Sequence, residues 1–423
     1  MVEDEPAARG EAEIRSGWRL LVAAMLGLGF GFPSVPFYSI GIFAPTLARQ
    51  FHWPFASIFG GLGFVTLALL VGAPAVGCLV DRYDARKIAA LSLCGLGVSF
   101  ATLALSTGSL AQYYTSWCAI AIAGVGATPI SFTRPIASTF VRRRGLALGI
   151  AMMGVGLFTL AVKPLGGWLL ATAGWRTAIA VVGLFPIMTA PVVLWGVPRG
   201  WPIERGRGSS TAQPKAPVVG LTVAGALRSR AFWLLGIACV PMGFAGAAPF
   251  PHMENILRSA QVRPRDVIVL TAMMGLTSLP GRLIGGWLLD RLPAPLIGAG
   301  VMGLGALGCW LLSHQVMAFG EALTAIVCMG GAAGVEVNLL PYLVARYIGI
   351  RSYGVVYGIL YGILAVGAGV GPGLLGYAFD RIGSYTGIMA ACAVLLLVAA
   401  GMFIGLGGYP DLQPPTRTGR SIT

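Results

Sequence analysis

The stretch GCLVDRYDARK at residues 77–87 returns in shortened form as GWLLDRL at residues 286–292. The shared phrase is Gly77-x-Leu79-x-Asp81-Arg82 and Gly286-x-Leu288-x-Asp290-Arg291, offset by 209 positions, and each copy closes a long apolar run. The same offset relates Arg142 to Arg351, Gly145 to Gly354, Gly149 to Gly358, Gly167 to Gly376 and Gly174 to Gly383. With 62 glycines in 423 residues, any one glycine match is weak evidence. The repeated phrase sets the register and the other matches keep it. An apolar chain built as two similar halves points to a carrier, because parallel halves can rock about a site held between them.

Composition fixes the class. The chain is 56% hydrophobic and only 10% charged, with a mean hydropathy of +0.81; soluble domains carry roughly 25% charge. Apolar runs of about 18 residues or more, each long enough to cross a bilayer as a helix, recur throughout. Twelve spans are expected at 18–43, 55–80, 88–107, 112–138, 147–171, 177–197, 231–253, 266–289, 296–314, 319–343, 354–377 and 386–408. The expected fold is an all-α membrane protein with twelve transmembrane helices in two pseudo-symmetric six-helix bundles, 18–197 and 231–408. A polar, proline-bearing linker at 198–230 separates them, and tails occupy 1–17 and 409–423. The glycines and prolines suit close helix packing and local kinks inside a bilayer.

The net charge of +14 suggests nucleic acid until the charges are placed. Most basic residues, among them Arg82, Arg86, Lys87, Arg142, Arg143, Arg144, Arg205, Arg207, Arg228, Arg291 and Arg351, fall on one set of alternate loops. That bias predicts both termini in the cytoplasm of a cell inner-membrane protein, with lipid rather than nucleic acid as the partner of the basic surface. The acidic stretch Glu3, Asp4, Glu5, Glu11, Glu13 before the first span argues against a cleavable signal. The seven cysteines lie in or beside apolar spans without metal-ligand spacing, so packing is their expected role. No phosphate-cradling loop, catalytic triad or metal constellation stands out. The expectation is a monomeric non-enzyme without cofactor or bound metal.

The two Gly-x-Leu-x-Asp-Arg phrases resemble the loop signature of the major facilitator superfamily. The resemblance covers nearly the whole chain and implies alternating access. It assigns Gly77, Asp81, Arg82, Gly286, Asp290 and Arg291 to gating. The glycines let helices approach, and the aspartates accept bonds from arginines and helix N-termini. A simple helix cap with topogenic charge is the other reading. The stretches FYSIGIFAPTLARQFHW (37–53), RRRGLALGIAMMGVGLF (142–158), ALRSRAFWLL (226–235) and GYAFDRIGSYT (376–386) resemble the bacterial monocarboxylate-porter branch, which includes oxalate/formate-type exchangers.

Charges at membrane depth are costly, about 2.5–3.5 kcal/mol at a helix centre on insertion scales, so each one needs a reason. Arg282 matches the position of a substrate-binding arginine in monocarboxylate porters. A guanidinium grips a carboxylate through two parallel bonds, and an ion pair with Glu336 is the alternative. Glu336 is the candidate for proton coupling, with a static pair or polar packing as the other outcome. Lys163, beside Pro164 in the fifth span, either faces Arg282 across the two halves or snorkels to the surface. Asn338 either donates to an anion or packs. Tyr353, Tyr357 and Tyr361 share one helix face, and with Tyr38 they either line a cavity or pack between helices. Arg134, near a span end, is expected to snorkel. His52, His252 and His314 sit at span ends, where interfacial packing is expected.

The chain departs from its animal relatives at two positions. Their aspartate one turn before the arginine is Ser278 here, and their first-span lysine aligns with Tyr38. Their proton relay therefore does not carry over intact, and anion exchange needs no protein acid. Ile120 stands about where sugar and drug carriers place a fourth-span arginine, which weighs against those substrates. The leading expectation is a secondary carrier for a small organic carboxylate, by proton symport or anion exchange. A dicarboxylate exchanger, a drug or metabolite exporter and a transport-inactive sensor are the competing readings.

Overall fold

Long apolar stretches fold as helices in a bilayer because a helix satisfies every backbone N–H and C=O within its own segment. The computed structural model describes residues 4–199 and 219–412. Its first half comprises α1 (Asp4–Gly29), α2 (Ser34–Phe51), α3 (Phe55–Arg82), α4 (Ala85–Thr102), α5 (Leu110–Gly124), α6 (Pro129–Thr139), α7 (Arg144–Thr172) and α8 (Gly174–Gly196). After the short α9 (Val223–Arg228) come α10 (Arg230–Ala247), α11 (Pro249–Ser259), α12 (Pro264–Leu289), α13 (Ala294–Leu311), α14 (Phe319–Tyr347), α15 (Tyr353–Ile382) and α16 (Thr386–Ile404). No strand forms among the described residues; an isolated bridge joins Gly220 to Gly349.

Among the described residues, twelve stretches are long and apolar enough to span a membrane. Two of them are interrupted. The first breaks between α1 and α2, where Pro33 offers no N–H, and the fourth breaks between α5 and α6 just before Pro129. The interruptions satisfy each other, since the Phe32 amide donates to the Ala127 carbonyl at 3.1 Å. The first helix also begins at Asp4, well before the apolar run at 18, because the intervening Ala, Glu and Arg residues are strong helix formers. Most of the expected linker (200–218) and of the C-terminal tail (413–423) lies outside the described residues.

The halves meet along two helix pairs, α3 against α15 and α7 against α12. Glycine permits both contacts. A Cβ at Gly77 would fall on the Gly354 carbonyl, and one at Gly354 would meet the Gly77 carbonyl. Gly286 and Gly145 stand in the same reciprocal relation. The offset that links Gly77 to Gly286 also links Gly145 to Gly354, so the two contacts are repeats of one another with the halves exchanged.

Gly286→Val should therefore push α12 from α7 and lower the unfolding temperature in detergent, by the ~1–3 kcal/mol typical of overpacking. Gly300→Ala on α13, where a Cβ meets nothing within 4 Å, should leave it unchanged or slightly raised. Equal melting of the two variants would show that the α7–α12 contact is not tight.

Candidate functional site

An α-helix begins with N–H groups that have no intrahelical partner, and these carry the positive end of its dipole. At one end of the bundle such groups face aspartates from the opposite half. Asp290, at the end of α12, accepts the Gly145 amide on Oδ1 at 2.6 Å and the Leu146 amide on Oδ2 at 2.9 Å, both from the first turn of α7. Asp81, at the end of α3, accepts the Gly354 amide at 3.0 Å and the Val355 amide at 3.1 Å from the first turn of α15. Each carboxylate thus caps a helix of the other half. The glycine contacts one turn away bring each aspartate within reach.

The two clamps differ in their cationic support. Arg134 Nε lies 3.2 Å from Asp81 Oδ1, and the guanidinium also donates to the Val80 carbonyl. Arg134 is only 2% exposed, so the expected snorkel to the surface does not occur. At the same repeat offset the chain has Leu343, and Asp290 instead feels Arg143 and Arg144. Burial pushes the Asp290 carboxyl above the ordinary aspartate range, opposed by the Leu146 and Gly145 amides and those two arginines. The motif arginines stand apart from the clamps. Arg82 is exposed, and exposed Arg291 lies 3.9 Å over the Trp287 ring.

Eight residues before Asp290, roughly 12 Å along α12, Arg282 is 7% exposed. Its guanidinium donates to the Met152 carbonyl of α7, across the seam between halves, while its Nε has no hydrogen-bond partner. Asn338 of α14 is fully buried and donates to the Arg282 backbone carbonyl at 2.8 Å. That bond commits one of its N–H groups to holding α12, so Asn338 acts on the arginine's backbone. Tyr38 of α2 is 40% exposed and within Coulomb reach of both Arg282 and Tyr361. Tyr38 therefore lies between Arg282 and Tyr361 in this chain of neighbours. Tyr357 is 1% exposed, its ring 5.6 Å from Tyr353 and 5.7 Å from Tyr361, and it packs rather than lining a cavity.

The anticipated Arg282–Glu336 pair does not form. Among the described residues no ion pair joins them, and Glu336 faces Gly246 of α10 instead. The reason is helical geometry: positions two apart on α14 point roughly 200° apart, so Asn338 takes the α12 side and Glu336 the opposite one. Lys163 lies on α7, but its side chain is outside the described residues. The Ser278 hydroxyl donates back along its own helix to the Gly275 carbonyl at 2.8 Å. The histidines brace helix ends: His252 Nε2 is 2.9 Å from the Pro372 carbonyl, and His314 meets Glu321. Sequence reasoning missed the Arg134–Asp81 pair and the Met152 carbonyl. It also missed the identity of the capped helices, although the offset linking Gly145 with Gly354 was a usable signal for the crossing.

Twelve spans, a repeat with exchanged contacts and buried charge at the seam define a polytopic transporter built from two related halves. The Major Facilitator Superfamily profile matches residues 19–372, and the chain belongs to that family. It is 26% identical to human monocarboxylate transporter 11 over 421 residues, covering 95% of this chain and 85% of that one. Identity to monocarboxylate transporter 13 of Bos taurus is also 26%, over 95% of this chain and 91% of the relative. The fold resembles the crystal structure of the human organic anion transporter MFSD10, with a TM-score of 0.70, 17% identity and coverage of 92% of this chain and 99% of that one.

Asp290→Asn should speed backbone hydrogen exchange in the first turn of α7 (144–148), and Asp81→Asn should do the same at the start of α15 (353–357). Charge-assisted bonds of this kind contribute about 1.5–3 kcal/mol, so protection factors should fall by tenfold or more. Unchanged exchange at both helix starts would mean that the carboxylates do not hold the halves together.

Proposed function

We propose that this protein is a secondary carrier that moves a small organic carboxylate across the cell inner membrane by alternating access. The observation that carries the reading is Arg282, a guanidinium buried mid-span at the seam of the halves with Nε lacking a hydrogen-bond partner. A permanently charged fork in that position suits a planar carboxylate. Tyr38, within Coulomb reach of the arginine, and its neighbour Tyr361 offer hydroxyl donors and ring faces to a small acid. The monocarboxylate transporter relatives and the organic anion transporter neighbour fit the same substrate class. The Lys163 backbone lies on α7, the helix packed against α12; if its side chain faces the seam, a second cation would extend the range to dicarboxylates.

In this reading Asp81 and Asp290 are the gate, with Gly77 and Gly286 setting its closeness. The clamped end is the cytoplasmic one, because the basic loops lie there and both termini follow the same bias. The conformation is closed on that side. Binding of an anion at Arg282 competes with the Met152 carbonyl for the guanidinium, loosening the seam that the clamps hold shut. Arg82 and Arg291 act through topology and lipid contact, not within the clamps. Glu336 stands apart from the anion site, since it lies on another face of α14 than Asn338.

Purified protein in proteoliposomes should take up a labelled monocarboxylate such as lactate, pyruvate or benzoate and exchange it by counterflow. Arg282→Ala should lower this at least tenfold while the protein still inserts and melts cooperatively. Arg282→Lys should recover only part of it, because a point charge lacks the fork. Full counterflow by Arg282→Ala would remove the arginine from the anion site.

A further inference from the structure

Glu336 has a place in the fold that the anion site does not explain. It is partly buried mid-way along α14, and among the described residues neither an ion pair nor a hydrogen bond reaches its carboxyl. The carboxyl opens onto a small chamber inside the second half, walled by Gly246 of α10, Val301, Met302 and Gly305 of α13, and Leu396 of α16. Gly246 is part of the arrangement, because a Cβ there would stand 2.9 Å from Glu336 Oε2. Cys239 of α10 is the titratable group within Coulomb reach, and the residues that α13 and α16 turn toward the chamber are apolar. Arg282 lies toward the other side of α14 and makes no ion pair with it.

An unpaired carboxylate in apolar surroundings costs so much free energy that such groups exchange charge for a proton. Among the described residues the chamber lining supplies neither cation nor N–H, which leaves the proton as the partner available to this side chain. We propose that Glu336 is where this carrier binds and releases a proton, in a compartment separate from the anion site. The inference rests on the carrier reading above and adds the coupling ion and its location. The link to the anion site is α14 itself. Two residues beyond Glu336, Asn338 grips the Arg282 carbonyl on the opposite face. Protonation lets α14 settle against α10 and α13, and ionisation draws the side chain toward water. Either shift is passed to the backbone that carries the arginine. The proton and the anion thus need not touch, and the missing aspartate at Ser278 is not required.

The test compares net uptake of labelled lactate driven by an inward proton gradient with gradient-free counterflow in proteoliposomes. Wild-type protein should show acid-stimulated uptake. Glu336→Gln should lose that stimulation at least tenfold while retaining counterflow within about twofold. Glu336→Asp, which keeps the acid, should retain stimulation. The inference is overturned if Glu336→Gln responds to acid as wild type does, or if wild type runs counterflow with no response to acid. Absence of wild-type counterflow would instead remove the carrier reading on which the inference rests. A readout independent of the variant's folding uses wild-type protein and the apolar reagent dicyclohexylcarbodiimide, which attacks protonated carboxyls within membranes. Mass spectrometry should find the adduct on Glu336, diminishing as pH is raised; no adduct at any pH would sink the proposal.

Discussion

Two aspartates, each capping a helix from the opposite half, determine how the rest of this molecule is arranged. A charged acceptor on two free helix N–H groups is among the stronger polar contacts a protein makes, and it requires no partner side chain. Its cost is geometric, since the aspartate must arrive within hydrogen-bond distance of a foreign helix start. The reciprocal contacts of Gly77 with Gly354 and Gly286 with Gly145 meet that requirement by removing side chains at the crossing points. Helix approach, cap and seam therefore form one construction, made twice. Separating either helix pair by the width of a methyl group would draw the cap out of reach.

The same construction suits the movement that the proposed carrier cycle requires. No large apolar surface must be exposed to break a clamp, because the contact consists of amides and a carboxylate that water also satisfies. Asp290 illustrates the balance: burial raises its carboxyl's affinity for a proton, while the two amides and the nearby arginines act in the other direction. The clamp bonds themselves exchange for bonds to water, whereas the α13–α16 pair inside the second half is apolar, with Leu396 and Phe403 of α16 packed against Gly305 and Gly298 of α13.

Much of the architecture was legible in the chain because a bilayer allows few solutions. Hydropathy alone yields twelve spans when every backbone group must be satisfied internally. The boundaries that shifted, such as the start of α1 at Asp4, did so where helix propensity continues beyond the apolar run. The site was harder to read, for a physical reason. Depth along a helix follows from counting, so Arg282 and Glu336 appear at similar levels. Azimuth depends on which neighbour each face meets, and a single sequence does not state that. Glu336 and Asn338 illustrate this, being two residues apart in sequence yet on opposite sides of α14. Arg134 was misread for a related cause: nearness to a span end suggests snorkelling unless a buried carboxylate waits at that level, and Asp81 supplies one.

The internal repeat separates two kinds of residue. The clamp elements recur at the offset of 209, as Gly77 with Gly286, Asp81 with Asp290 and Gly145 with Gly354. The ionisable groups buried deeper in the spans do not. The counterparts of Arg282 and Glu336 at that offset are Ala73 and Ala127. In the proposed carrier cycle, opening and closing is a movement of one half against the other, and a symmetric pair of clamps suits it because both seams then separate together. Cargo chemistry works differently. A charge in the bilayer costs free energy wherever it is placed, so duplicating it would double the cost without adding a site. The repeat is thus kept at the clamps, where two equivalent contacts join the halves, and is absent at Arg282 and Glu336, where one of each suffices for the proposed site.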